Sequence, residues 1–179
     1  MNSQARPFTP AQQKLLTCWQ RHMQAEFATL NVDDALATMA ENPSVNHVPV
    51  LTGGVGREAV RAFYTQHFIG QMPPDTEMVT IAQTIGDDRL VEELVVRFTH
   101  TRVIDWLLPG IPPTGRRVEV AVIAVVQFEG GKIAQERIYW DQASVLVQLG
   151  LLDPAALPVA GSEQAERLLD LSRNAGGAD

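Results

Sequence analysis

The sequence predicts an α+β fold in which helices come first and an antiparallel sheet follows. Segments with helical spacing of apolar residues extend to Pro73 and Pro74, and long β-rich runs occupy Thr76 to Trp140. With 179 residues, 45% of them hydrophobic, the chain can bury one sizeable core. We expect a flexible N-terminus over 1–10, one domain over 11–152, and a C-terminal extension over 153–179 with a short helix and a disordered end.

Three helices are predicted in the first part of the chain. Thr9 and Pro10 form a helix-start signal. The apolar residues that follow recur every three or four positions: Leu15, Leu16, Trp19, Met23, Phe27 and Leu30. Asn31 can cap a second, shorter helix whose buried side holds Leu36 and Met39. A third helix is expected from Arg57 to about His67.

A short edge strand is expected over Ser44 to Leu51, with His47 at its centre and a break at Pro49. The glycines that follow, Gly53, Gly54 and Gly56, predict a turn.

Four strands of a meander should follow this turn. Their predicted ranges are Thr76 to Ile85, Leu90 to Arg102, Arg117 to Phe128 and Ile133 to Trp140. Hairpin turns are expected at Asp87-Asp88 and Gly130-Gly131, so consecutive strands should pair antiparallel.

A lid or an interface element is predicted in the loop from Leu107 to Arg116, which is rich in proline and glycine. Two further helices are expected after the last strand, over Gln142 to Leu152 and Ser162 to Leu171.

Charge and composition exclude several classes of partner. The net charge is -7 and the basic residues are scattered, which argues against nucleic acid. No apolar stretch approaches the roughly 20 residues of a spanning helix, so we expect no membrane partner and a cytoplasmic protein. Cys18 is the only cysteine, which rules out an internal disulfide. We expect no cofactor and no metal, because no phosphate-binding loop and no metal-ligand spacing among the histidines occur.

The segment Gly56-Arg-Glu-Ala-Val-Arg-Ala-Phe-Tyr64 and the order of elements resemble the nuclear-transport-factor-2-like superfamily over Ala11 to Leu152. Pro113 to Val118, Gly131 to Gln142 and Gln148-Leu149-Gly150 are similar to its SnoaL-like polyketide cyclase branch. The resemblance implies a cone-shaped α+β barrel with a pocket between the concave sheet and the helices, and a homodimer. It also implies that Asp141, by its position after the final strand, is the acid/base residue of a cyclase.

Asp141 has a second interpretation, because an aspartate directly before Gln142 can cap the following helix. Strand alternation places Arg137, Tyr139 and Asp141 on one face of the last strand and Glu136, Ile138 and Trp140 on the other. We expect the Asp141 face to line the pocket, where Tyr139 would donate a hydrogen bond to the substrate. A dimer interface is the alternative for this face.

His47 is the third predicted catalytic residue, since imidazole titrates near neutrality. The predicted substrate-binding residues are Trp106, Glu93, Arg97, His100, Trp19 and Phe63. Glu93 and Arg97 lie on the face of the second long strand opposite to Leu94, Val96 and Phe98, where they can also pair with each other. Beside Asp141, they would be similar to the carboxylate and arginine groups of limonene-epoxide hydrolases.

Three functions remain open. The leading hypothesis is a SnoaL-like enzyme in which Asp141 moves a proton on an apolar carbonyl substrate, by cyclisation or isomerisation. The second is a non-catalytic protein that binds a small hydrophobic molecule, with Asp141 as a helix cap. The third is an epoxide or lactone hydrolase, which needs a second charged residue beside Asp141.

Overall fold

Five α-helices and six β-strands make up residues 7–175, the part of the chain that the computed structural model describes. The elements are α1 (Pro10–Phe27), α2 (Val32–Ala37), β1 (Met39–His47), β2 (Thr52–Val55), α3 (Arg57–Phe63), β3 (Glu77–Ile85), β4 (Arg89–Thr99), β5 (Arg117–Glu129), β6 (Lys132–Trp140), α4 (Gln142–Gln148) and α5 (Glu163–Ala175). A π-helical turn over Tyr64–Phe68 continues α3, and a 3-10 turn covers Pro154–Ala156.

The predicted α+β fold is confirmed. The six strands form one sheet in the order β2-β1-β6-β5-β4-β3, and β3 to β6 are the expected antiparallel meander. Irregularities in the pairing of β3 with β4 and of β5 with β6 mark bulges, which bend a sheet. Within the described residues the sheet stays open, with β2 and β3 at its two edges.

The N-terminal helix signals are confirmed in detail. The Thr9 hydroxyl accepts a hydrogen bond from the Gln12 amide, and the Gln12 side chain accepts one from the Thr9 amide. The Asn31 side chain caps α2 through the amides of Asp33 and Asp34. Local capping chemistry was therefore a sound guide to where both helices begin.

The edge of the sheet beyond β6 differs from the prediction. Met39 starts β1 rather than lying on α2, and β1 ends at His47, which was expected at mid-strand. The predicted glycine turn is mostly strand β2, because Gly53 and Gly54 pair with Asn46 and Val45. β1 in turn runs parallel to β6. A parallel neighbour so distant along the chain leaves no local signal in the sequence.

The two faces of the sheet are covered by different helices. α1, α2 and α3 enclose the main core against the inner face, whose residues on β4 include Leu90, Leu94, Val96 and Phe98. α5 packs on the outer face, where Ala165 and Leu169 meet Val95. It covers a longer range than the predicted Ser162 to Leu171, and Asn174 and Ala175, expected to be disordered, continue it. Residues 1–6 and 176–179 of the predicted flexible ends lie outside the described residues.

None of the helices described here combines the length and the apolar character needed to cross a membrane.

Gly53 tests the tight β1–β2 pairing. Its φ is +135°, and a Cβ atom added there would lie 2.0 Å from the Val45 carbonyl oxygen. That oxygen belongs to the backbone, so it can move away only if the strand pairing is distorted. We expect Gly53→Ala to lower the free energy of unfolding by about 2 kcal/mol or more, measured by urea titration. Gly86→Ala is the matched control, because its Cβ would meet only Arg89 at 3.6 Å and its φ is ordinary. Equal stability of the two variants would contradict the strain argument.

Candidate active site

An apolar cavity lies between α1 and the inner face of β4, β5 and β6. It offers about 70 Å³ to the centres of water-sized molecules, several times the space that one water needs. Its lining is mainly aliphatic and aromatic: Trp19, Met23, Phe27, Val45, Phe68, Met72, Met78, Leu94, Val96, Phe98, Trp106, Leu107, Val120, Val122, Ala124, Ile138 and Trp140. The polar side chains in the lining are Glu26, His47 and Glu136. Such a pocket suits a small apolar molecule with few polar groups.

A buried charged cluster forms part of the cavity wall. His22 Nε2 lies 3.0 Å from Glu26 Oε1 and 2.9 Å from Glu136 Oε1. Both distances allow ion pairs, but neither oxygen is aligned to accept a hydrogen bond from the ring. His22 is fully buried and the two carboxylates are almost so. We call these three residues the His22 cluster.

The orientation of the His22 ring is fixed from its other side. The Thr38 hydroxyl donates to the Ala35 carbonyl at 2.6 Å, so its oxygen is left to accept from His22 Nδ1, also at 2.6 Å. With Nδ1 carrying a hydrogen, a neutral ring would present the bare lone pair of Nε2 to two carboxylates. The two carboxylates favour a second proton, and with it a positive charge, at Nε2, where the Tyr64 hydroxyl also lies at 3.2 Å.

The electrostatics of the cluster agree with this assignment. Burial alone would lower the pKa of His22, but the charges of Glu136 and Glu26 outweigh it and hold that pKa well above its ordinary value. Burial raises the pKa of Glu136, and the His22 imidazolium opposes that rise. Glu136 is thus a buried carboxylate whose pKa lies above its ordinary value. The donor atoms of the three residues lie within 4.8 Å of one another, so this is also where a metal ion would find ligands.

A second buried carboxylate, Glu92, has a supporting role. Trp19 Nε1 donates to its Oε2 at 2.6 Å, while Thr80 and Gln83 donate to Oε1 at 2.8 and 2.9 Å. Glu92 therefore has protein donors on both oxygens, and it holds the Trp19 ring in the cavity wall.

His47 sits among aromatic rings at the other side of the lining. Its ring centroid is 4.8 Å from that of Trp106 and 5.5 Å from those of Phe63 and Phe68. Burial lowers its pKa to about 4, so the imidazole is neutral at physiological pH. Its Nδ1 has no hydrogen-bond partner among the described residues.

The long loop before β5 closes one end of the cavity. Ile104, Leu107 and Leu108 are buried in the main core. Thr52 donates to the Trp106 carbonyl at 2.7 Å, and Gln142 donates to the Leu107 carbonyl at 3.2 Å. These contacts tie the loop to β2 and α4, so Trp106 is a fixed part of the wall in this structure.

The expectation that the Asp141 face of β6 lines the cavity is wrong. Glu136, Ile138 and Trp140 face inward instead, on the opposite side of the strand. Asp141 Oδ1 accepts from the amides of Ala143 and Ser144, and Oδ2 accepts from Gln164 at 2.7 Å. This is the helix-cap alternative, and it leaves the carboxylate outside the cavity lining. Tyr139 is 41% exposed on the outer face, where the interface alternative places it.

The other predicted site residues divide between the two sides of the sheet. Trp19, His47 and Trp106 do line the cavity, and Phe63 packs directly behind His47. Glu93 and Arg97 do not: they lie on the outer side of β4, where Arg97 pairs with Glu119 at 2.9 Å. His100 lies beyond the end of β4, and its Nδ1 contacts Thr114 of the long loop at 3.2 Å; it is not part of the cavity lining.

The residues that sequence reasoning missed are His22, Glu26, Glu136 and Glu92. A usable signal existed on α1, because His22 and Glu26 are four residues apart and fall within the apolar stripe of Trp19 and Met23. Ionisable residues on a buried helix face need partners, which would have pointed to a site. Glu136 points to the same side of β6 as Ile138 and Trp140. Choosing that face for the cavity would therefore have predicted Glu136 as a site residue.

The pKa of His47 makes a prediction about stability. Because the folded value of about 4 lies below the ordinary 6.5, the folded state disfavours protonation, and stability is lost as the pH falls through that interval. The expected loss is about 3 kcal/mol. His47→Phe should remove it, which urea unfolding of both proteins at pH 7 and pH 4 would measure. The same loss in both proteins would show that His47 is not the residue responsible.

Comparisons with known proteins place the fold. The model of the SnoaL-like polyketide cyclase family matches residues 11–149. A protein described as a SnoaL-like polyketide cyclase, from Jannaschia sp. CCS1, superposes with a TM-score of 0.67 at 18% identity, covering 83% of this chain and 100% of that one. TsrD from Streptomyces laurentii gives 0.60 at 20% identity, with 82% and 100% covered.

A further structural relative is SalBIII, described as an epoxide hydrolase/cyclase-like enzyme in pyran ring formation in salinomycin. It has a TM-score of 0.54 at 17% identity, with 72% of this chain and 91% of that one covered. No protein of curated function matches this sequence. At such identities the solved structures establish the fold, and the family model, which spans most of the chain, establishes the family. The chain belongs to the SnoaL-like polyketide cyclase family.

Proposed function

We propose that this protein is an acid/base enzyme that moves a proton on a small, neutral, apolar substrate bearing a carbonyl group. The observation that carries the proposal is the His22 cluster, because it brings two carboxylates into the wall of an otherwise apolar cavity, with the His22 imidazolium in contact with both of them. Buried ionisable groups with altered proton affinity, in a pocket of this kind, are typical of sites of proton transfer.

The chemistry begins with an ionised carboxylate that removes a proton from the carbon next to the carbonyl group. The electron pair of that C–H bond forms a carbon–carbon double bond while the π pair of the carbonyl group moves to its oxygen, which gives an enolate. In a substrate whose enolate is conjugated with a further carbon–carbon double bond, return of the proton at the far end of that system completes an isomerisation. Attack of the enolate carbon on a second carbonyl group of the same molecule forms a carbon–carbon bond, and the proton then moves to the new alkoxide. Neither route needs an oxidant or a reductant.

Glu136 is the proposed proton acceptor. It lines the cavity, and burial raises its pKa toward the pH at which a base and its conjugate acid are both available. His22 stabilises the ionised form of Glu136 and Glu26 keeps His22 charged, since it contacts the same nitrogen. In this arrangement Glu26 and His22 set the proton affinity of Glu136.

The family supports chemistry of this class without selecting a substrate. Its name describes polyketide cyclases, and SalBIII is described as cyclase-like in pyran ring formation. The pocket of this chain is consistent with ring closure or isomerisation of a compact apolar molecule.

A non-catalytic binding protein is the second candidate. The cap role of Asp141 favours it, because that residue was the acid/base group expected from the family resemblance. The His22 cluster argues the other way, since an apolar wall would bind a hydrophobic ligand without burying two carboxylates. An epoxide or lactone hydrolase centred on Asp141 has less support, because Arg97 is engaged by Glu119 on the outer face.

Hydrogen–deuterium exchange tests the proposed proton transfer with a generic ketone. In D₂O, the protein should accelerate exchange of the hydrogens next to the carbonyl of 1-indanone, followed by proton NMR. We expect Glu136→Gln to reduce the protein-dependent rate by about 100-fold or more, because the base is lost while the shape of the side chain is kept. Thermal unfolding of the variant would establish that it is folded.

The same assay separates the alternatives. Glu129→Gln, at an exposed position on β5, is the control and should exchange at the native rate. A loss with Asp141→Asn but not with Glu136→Gln would return the acid/base role to Asp141. Binding of 1-indanone without any acceleration of exchange would favour the binding-protein candidate.

A further inference from the structure

All three tryptophans of the chain line the cavity, but their indole N–H groups differ in how they are engaged. Trp19 Nε1 donates to Glu92, and Trp140 Nε1 donates to Gln142. Trp106 Nε1 is buried and has no hydrogen-bond partner among the described residues. An indole N–H can only donate, so Trp106 needs an acceptor that the described protein groups do not supply.

His47, which lies next to Trp106 in the cavity lining, also has a buried nitrogen that needs a hydrogen-bond partner. The His47 ring lies against that of Trp106, with centroids 4.8 Å apart, and His47 Nδ1 is buried and forms no hydrogen bond with the part of the chain that the structure describes. The side chains are 2% and 9% exposed for His47 and Trp106 respectively, so bulk water does not compensate either group. A buried donor or acceptor left unpaired is costly, and two adjacent ones on a cavity wall indicate a partner inside the cavity.

The required partner is an uncharged oxygen. Trp106 demands an acceptor, whereas His47 in its neutral form can donate or accept according to its tautomer. An anion is disfavoured because Glu26 and Glu136 line the same cavity. A carbonyl oxygen on an apolar body is an acceptor of this kind.

We propose that Trp106 Nε1 and His47 Nδ1 together bind the carbonyl oxygen of a neutral, apolar ketone. The inference rests on the proposed function in that it takes this cavity to be the substrate site. It adds a specificity element that the family and the His22 cluster do not provide: recognition of the substrate oxygen by two uncharged donors. An enolate oxygen formed during reaction would receive the same hydrogen bonds, and these strengthen as charge develops.

Binding of a matched pair of compounds tests the proposal independently of turnover. 1-Indanone and indane have the same ring system and differ in the carbonyl oxygen. We expect native protein to bind the ketone about tenfold more tightly than the hydrocarbon, measured by calorimetry, because indane would leave Trp106 unpaired. The anion indane-1-carboxylate should bind more weakly than the ketone by a similar factor.

Trp106→Phe keeps an aromatic ring and removes the donor, so the preference for 1-indanone over indane should fall to about twofold or less. Trp140→Phe is the matched control: it also reshapes the cavity, but its N–H is already bound to Gln142. That variant should weaken both compounds alike and retain the preference. His47→Leu should reduce the preference as well, which provides a second route if Trp106→Phe does not fold.

An unchanged preference in folded Trp106→Phe, or failure of the native protein to bind either compound, would overturn the proposal. The result is separable from the proposed function. If exchange of 1-indanone is absent but the preference depends on Trp106, the oxygen site exists in a protein that binds without this catalysis. If exchange occurs and the preference is unaffected, the acid/base role stands and the oxygen is held elsewhere.

Discussion

The contact between His22 and two buried carboxylates is the constraint around which the rest of the cavity is arranged. It joins α1 to β6 through Glu136, and it is fixed from behind by Thr38, directly before β1. The Tyr64 hydroxyl, directly after α3, lies 3.2 Å from His22 Nε2. Four separate parts of the chain must therefore be in place before the charges can be buried together. With both carboxylates ionised, the cluster holds one positive and two negative charges, so removal of His22 would leave two like charges uncompensated in a low-dielectric interior, and the cluster ties the fold to the site.

Much of the fold could be predicted because its signals are local. Helix caps at Thr9 and Asn31 and the hairpin turns of the meander depend on a few adjacent residues. The pairing of β1 with β6 could not be predicted in this way, since it joins residues about ninety positions apart. Strand β2 was missed for a related reason: its glycines fit a turn, and only the close approach to Val45 explains why they are glycines in a strand.

The site was harder to predict than the fold because it depends on which face of each strand lines the cavity. Alternate residues of a strand point to opposite faces, so one choice of face places every side chain of that strand. The choice of the Asp141 face for β6 therefore also placed Glu136 outside the site. On β4 the same choice separates Glu92, which faces inward, from Glu93, which faces outward. Trp19, His47 and Trp106 do line the cavity, because large rings on apolar segments face a core in most contexts. Charged residues have no such general preference for the core. The face of the sheet on which they lie depends on partners that are distant in the sequence.

The polar groups around the cavity differ in how many hydrogen-bond partners the protein gives them. That difference distinguishes groups that support the wall from groups that are available to a ligand. Glu92 has donors on both oxygens and needs nothing further. In the His22 cluster one imidazolium faces two carboxylates without aligned hydrogen bonds to their Oε1 atoms, while Trp106 Nε1 and His47 Nδ1 have no partner within residues 7–175.

The two histidines, His22 and His47, respond to pH in opposite directions. Stability that His22 gains from its raised pKa is complete below its ordinary value and is lost as the pH rises through the folded value. Stability linked to neutral His47 is lost as the pH falls from 6.5 to about 4. The intact cavity, with a charged His22 and a neutral His47, therefore belongs to the pH interval between the two folded pKa values.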